Sequence, residues 1–151
     1  MNGYTLLPKK QFYLLLIPLA ILIFILSIEV MMRVKDVLMF EAWIGSAVNM
    51  PETTSRNELF DIYVTGNLAL YFQKIVIPIG LSLHTYFAYV KLRINKLFVL
   101  MWFILGCGSL AYTIVGLKMN DIVMYVYILI YLIVIFTLLS LLEIINMREK
   151  S

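Results

Sequence analysis

Four long apolar blocks divide this chain, and its charged residues gather between them. The first block, residues 12–28, runs 17 positions without a charge. A helix needs roughly 20 apolar residues to cross about 30 Å of hydrocarbon. The pattern predicts membrane spans over residues 11–32, 68–90, 97–117 and 122–145. The fold class is therefore all-α: an integral membrane bundle of four transmembrane helices, with residues 1–151 forming a single transmembrane domain. Lys9 and Lys10 ahead of the first block imitate a secretory leader. The apolar run is longer than a typical leader core, and no small-x-small cleavage site follows it, so it reads as an uncleaved span. Pro18 marks a place for a mild bend in that span.

The one long connection, residues 33–66, is itself patterned. Val34, Val37, Leu38, Glu41, Ile44, Gly45 and Val48 recur at helical spacing, with Phe40 and Trp43 adding aromatic bulk. A stretch this short cannot span, so it fits an interfacial or re-entrant helix between the first two spans, or else an extension of the first helix. Asn49-Met50-Pro51 should end it, since proline disfavours helix at the residue before it. Ser55-Arg56-Asn57-Glu58 matches a capping box, which predicts a short helix leading into the second span and loosened at Gly66-Asn67.

Composition supports this division. Hydrophobic residues make up 63% of the chain and charged ones 14%, against about 45–50% and about 25% in soluble domains. The net charge of +3 arises from loop lysines and arginines, whose first explanation is topology, so nucleic acid is not an expected partner. With the N-terminus inside, Lys9, Lys10, Lys91, Arg93, Lys96, Arg148 and Lys150 lie on the inner side. Arg33, Lys35, Arg56 and Lys118 lie on the outer side. The bias predicts a multi-pass protein of the cytoplasmic membrane with both termini cytoplasmic and segment 33–66 outside. A single cysteine, Cys107, excludes an internal disulfide and a C-x-x-C site.

Chemistry within the spans is sparse. The second span carries Lys74, Pro78 and the only histidine, His84. An ionisable group at membrane depth is costly and invites a functional hypothesis, although a lysine stem can also snorkel toward the surface. Glu29, near the end of the first span, is the natural partner for Lys74, either as a structural pair or as a ligand- or proton-binding pair. Tyr71, Lys74, Pro78, Ser82, Thr85 and Tyr89 share one face of the second span. His84 points elsewhere, with Glu143 of the fourth span as a candidate partner. A proton relay or axial haem ligation are its functional alternatives, and the chain holds no second histidine. Gly106, Ser109, Thr113 and Gly116 form a small-residue stripe that lets helices approach closely.

The motifs H-E-x-x-H and G-x-S-x-G and the phosphate-cradling P-loop do not occur in the sequence, and no catalytic residue, metal ligand or cofactor is expected. The leading expectation is a non-enzymatic accessory, regulatory or immunity-type partner of another membrane protein. Its contact surface would include Val37, Phe40, Trp43 and Ile44, and homo-oligomers are left open. The alternative is a small transporter or a lipid- or ligand-handling protein. It would use a polar intramembrane site drawn from Glu29, Lys74, Ser82, His84, Thr85 and Glu143.

Overall fold

A computed structural model of the chain describes residues 7–46, 55–115 and 122–150. It is all-helical in these residues: α1 (Lys9–Lys35), α2 (Val37–Ser46), α3 (Arg56–Val90), α4 (Lys96–Ile114) and α5 (Ile122–Lys150). Four of the five are long and apolar enough to cross a bilayer, and the short α2 stands between the first two of these. The expected break at Asn49-Met50-Pro51 and the residues Gly116 and Lys118 lie outside the described residues.

Around the bundle, α1 packs on α3 and α5, α4 packs on α5 and more lightly on α3, and the diagonal pairs are not neighbours. On α1, Phe12, Leu15, Leu19, Leu22, Leu26 and Val30 are buried at steps of three and four, the stripe one helix face supplies. Its opposite face exposes Ile17, Ile21, Phe24 and Ile28, which is tolerable only where hydrocarbon is the solvent. Two buried clusters stack along the bundle. Near the termini, Leu15, Leu19, Leu81, Trp102 and Leu138 are among the residues that meet. Toward the α2 end, Leu22, Leu26, Ile75, Tyr127 and Tyr131 close the core.

The capping box forms as expected: the Ser55 hydroxyl accepts from the Glu58 amide, and the Glu58 carboxylate accepts from the Ser55 amide at 2.9 Å. The loosening expected at Gly66-Asn67 does not occur. One helix of 35 residues runs through it, about 52 Å long at 1.5 Å per residue. Glycine inside a helix costs about 1 kcal/mol, and here neighbouring bonds offset it. Asn67 Nδ2 donates to the Tyr63 carbonyl at 2.9 Å, so the asparagine ties itself to the preceding turn instead of opening it. The helix thus exceeds the hydrocarbon thickness, and its first turns, with Arg56, Glu58 and Asp61, extend past the apolar part.

Those turns are where α2 docks. It is a separate helix and not a continuation of α1, because Asp36 adopts an extended conformation and caps α2. Asp36 Oδ1 accepts from the amides of Leu38 at 2.9 Å and Met39 at 3.2 Å. Phe40 then meets Phe60 edge-on at 5.2 Å and Tyr63 at 5.4 Å between ring centroids, and Trp43 lies 5.4 Å from Tyr63. An Arg56–Glu41 ion pair closes the contact at the surface.

At the other interface α3 and α4 approach at Gly80. A methyl group added there would lie 3.2 Å from Trp102 Cη2. Gly80→Val should force the two helices apart and lower stability by about 1–3 kcal/mol. The effect would appear as a lower unfolding midpoint in denaturing detergent together with a shifted Trp102 fluorescence maximum. An unchanged midpoint would show that the ring moves aside freely.

Candidate functional site

The charged side chains of the spans meet near the α2 end. Glu29, on the penultimate turns of α1, pairs with Arg33 one turn later, Oε1 to a guanidinium nitrogen at 2.8 Å. This is the i, i+4 spacing at which a carboxylate and a cation face each other on a helix. The other carboxylate oxygen accepts from the Tyr127 hydroxyl of α5. Arg33 is held in turn through its carbonyl, which accepts from the Tyr63 hydroxyl of α3 at 2.9 Å. One turn deeper, the hydroxyls of Ser27 and Tyr71 share a hydrogen bond of 2.7 Å. Three helices are thereby joined through polar groups.

Lys74 stands on the α3 side of this arrangement. A small cavity of about 40 Å³ is lined by Glu29, Arg33, Asn67, Tyr71 and Lys74, with Leu26, Val30 and Leu70. Helix side chains lean toward the N-terminus of their own helix, which for Lys74 means toward the α2 end. Its stem therefore carries the ammonium outward from mid-membrane. Pro78 lacks the amide that would bond the Lys74 carbonyl, so the helix has a free acceptor at the same residue.

The expected Glu29–Lys74 ion pair is not formed. The two residues line one cavity, but both carboxylate oxygens of Glu29 are engaged, by Arg33 and by Tyr127. The ion pairs among the described residues are Glu29–Arg33 and Glu41–Arg56. Arg33 was legible from its spacing to Glu29. Tyr127 was not, because nothing in the sequence turns it inward, where it is fully buried.

The remaining candidates lie elsewhere. His84 takes Trp102 as its partner and not Glu143: Nδ1 accepts from the indole Nε1 at 2.9 Å, and Phe98 packs edge-on to the imidazole. That bond leaves the imidazole proton on Nε2 in its neutral form. Glu143 is exposed. The Ser82 hydroxyl donates to the Pro78 carbonyl at 2.8 Å, a bond within its own helix. Thr85 is fully buried with its hydroxyl unpartnered among the described residues. Ser82, His84, Thr85 and Glu143 therefore do not join Glu29 and Lys74 in one site.

The small-residue stripe of α4 faces inward as its pattern implies, with Gly106, Ser109 and Thr113 buried. Ser109 and Tyr131 share a hydrogen bond of 2.7 Å, and Thr113 lies 3.3 Å from the same phenol oxygen. Cys107 points away from this seam and is exposed.

The surface expected to meet a partner also changes. Phe40, only 4% exposed, is turned into the aromatic contact with α3, and Trp43 is half-buried beside it. Helix rotation decides this, since Tyr63 and Phe60 offer rings on one side of α2 only. Val37, one of the residues expected there, and Leu38 form the outward ridge, 63% and 80% exposed.

Two apolar grooves flank the cavity. One, of about 690 Å³, lies beside α1 and the start of α5 and is lined by Ile28, Met31, Met32, Met39 and Val123. The other, of about 660 Å³, runs beneath α2 along α3 and is lined by Met39, Trp43, Ile62, Tyr63 and Leu70. Arg33 lines both grooves and the cavity between them. Among the described residues no three His, Cys, Asp or Glu side chains converge as metal ligands would.

Fold and site together define a multi-span membrane helix bundle with a charged cavity near one end. Comparison of the chain with protein-family models, with curated proteins and with solved structures gives no match.

Proposed function

We propose that this protein handles a lipid or a lipid-like ligand, held at the α2 end by the cavity that Glu29, Arg33 and Lys74 line. The observation that carries this reading is the Lys74 ammonium. It has no partner among the described residues, yet it borders a cavity that meets two apolar grooves. Each groove falls in the range of about 300–1,000 Å³ typical of small-molecule sites. A lysine without a partner beside such space suits ligand binding better than helix packing, which would supply it with one. The protein would reside in the cytoplasmic membrane with both termini inside, which places the site in the outer leaflet.

Lys74→Met tests this reading. Purified in a mild non-ionic detergent, the unaltered protein should retain a co-purifying amphiphile visible by native mass spectrometry. The variant should retain about fivefold less, the effect of one basic charge at a lipid surface. Equal retention would remove the cavity from the function.

A second reading, an accessory or regulatory partner of another membrane protein, rests on the outward ridge of α2. Val37 and Leu38 present apolar surface beyond the first turns of α3, where a neighbouring protein has access. Leu38→Glu would then abolish cross-linking to a neighbour in native membranes while leaving ligand retention intact.

A further inference from the structure

We infer that the ligand is an anionic phospholipid whose phosphate oxygens meet Lys74 and Arg33 and whose acyl chain lies in the groove beneath α2. This inference rests on the ligand-handling reading above and names its ligand class. The first argument is charge. Around the cavity stand one carboxylate, Glu29, and two cations, Arg33 and Lys74. Glu29 is committed to Arg33 and Tyr127, so one positive charge is left over, and it is the ammonium.

Nearby acids cannot supply the missing anion. Asp36 Oδ1 is bonded to the first amides of α2, and Glu41 is paired with Arg56. Asp61 lies 13 residues before Lys74 on the same helix, about 20 Å along the axis. No carboxylate among the described residues is left for Lys74, and a lipid phosphate would supply the anion.

The second argument is shape. A cavity of about 40 Å³ admits one or two groups the size of water, enough for phosphate oxygens and too little for a whole headgroup. The glycerol and chains must then stay outside it. The groove beneath α2 shares Arg33, Asn67 and Leu70 with the cavity, so a chain entering it continues directly from the phosphate. Its lining by Met39, Ala42, Trp43, Ala69 and Leu70 is suited to hydrocarbon. Asn67, whose Nδ2 donates to Tyr63, keeps its amide oxygen for a headgroup hydroxyl. A zwitterionic lipid offers the same phosphate but brings a further cation toward Arg33 and Lys74, so charge complementarity favours an anionic lipid.

The test is retention of defined lipids by the full chain, measured by native mass spectrometry after reconstitution with equal amounts of phosphatidylglycerol and phosphatidylcholine. The unaltered protein should hold phosphatidylglycerol about fivefold more than phosphatidylcholine, and Lys74→Met should remove that preference. Lys74→Arg, which keeps the charge, should restore it. Leu70→Glu is the second variant. It places a carboxylate four residues before Lys74, the favoured order for a helical ion pair, and neutralises the ammonium without deleting it. It should abolish the preference as fully as Lys74→Met does.

Loss of both lipids in Lys74→Met, with no preference in the unaltered protein, would overturn the anionic class and leave the ligand-handling site standing. Equal retention of both lipids by every variant would overturn the inference and the site together. Displacement of phosphatidylglycerol by millimolar inorganic phosphate alone would show a simple anion site and overturn the role of the groove.

Discussion

Phe40→Ala should release α2 from the bundle while leaving the four long helices assembled. The ring is buried between Phe60, Tyr63 and Trp43, and among the described residues α2 packs on α1 and α3 alone. Truncating a buried phenylalanine costs about 3–5 kcal/mol, and a ten-residue helix docked mainly by one aromatic cluster has little else to hold it. The loss should be local, because the buried clusters of the bundle do not include Phe40. Hydrogen exchange read by mass spectrometry should show the amides of 37–46 exchanging more than about tenfold faster, with residues 75–88 unchanged. Arg56→Gln is the contrast. It removes an ion pair whose side chains are largely exposed, and should change the same exchange rates little, since such pairs contribute about 0–1 kcal/mol. Protection of 37–46 that survives Phe40→Ala would mean that the exposed face of α2, and not its aromatic side, holds it in place.

Glu29→Gln should weaken the bundle itself. The substitution keeps an oxygen for the Tyr127 hydroxyl but leaves Arg33 and Lys74 facing one small cavity with no carboxylate between them. Removing one partner of a fully buried ion pair costs about 3–5 kcal/mol. Arg33 is 43% exposed, so the expected loss is reduced to about 1–3 kcal/mol. The sign of the coupling is the sharper test. Adding Lys74→Met to Glu29→Gln should recover stability, because it relieves like-charge repulsion, with a coupling of about 0.5–3 kcal/mol. Denaturing-detergent titrations of the four proteins measure it. Additive effects would mean that Glu29 and Lys74 do not sense each other across the cavity. Glu29→Gln should also raise retention of anionic lipid, opposite in direction to its effect on stability.

The two effects differ because they act on different levels of the structure. Docking of α2 is a packing contact outside the apolar bundle, whereas Glu29 ties α1 to α5 within it. A ligand held between them would feel both, since Met39 and Trp43 of α2 and Arg33 of α1 line the same groove.

Much of this could be read from the chain alone. The four blocks of apolar residues had to be helices, because in hydrocarbon every backbone amide must find its partner within the segment. Their bounds came close: residues 97–117 were expected where α4 runs Lys96–Ile114, and residues 122–145 where α5 runs Ile122–Lys150. Ser55-Arg56-Asn57-Glu58 located the start of α3 to the residue, since a capping box is local chemistry. That Glu29 and Lys74 lie at similar depth followed from 1.5 Å per residue and the direction of each span. Gly66-Asn67 misled because glycine weakens a helix on average, while the fate of this one was decided by the Asn67 bond to Tyr63.

Contacts between helices were decided only by the tertiary structure. A soluble helix announces its inner face by being apolar on one side, but the spans here are apolar all round, toward lipid and toward each other. Apart from the small-residue stripe of α4, their sequences therefore set length and depth but not rotation. Rotation is what gave Glu29 to Tyr127 and His84 to Trp102, and what turned Phe40 onto α3. It is also what left Lys74 beside a cavity with no ion-pair partner among the described residues.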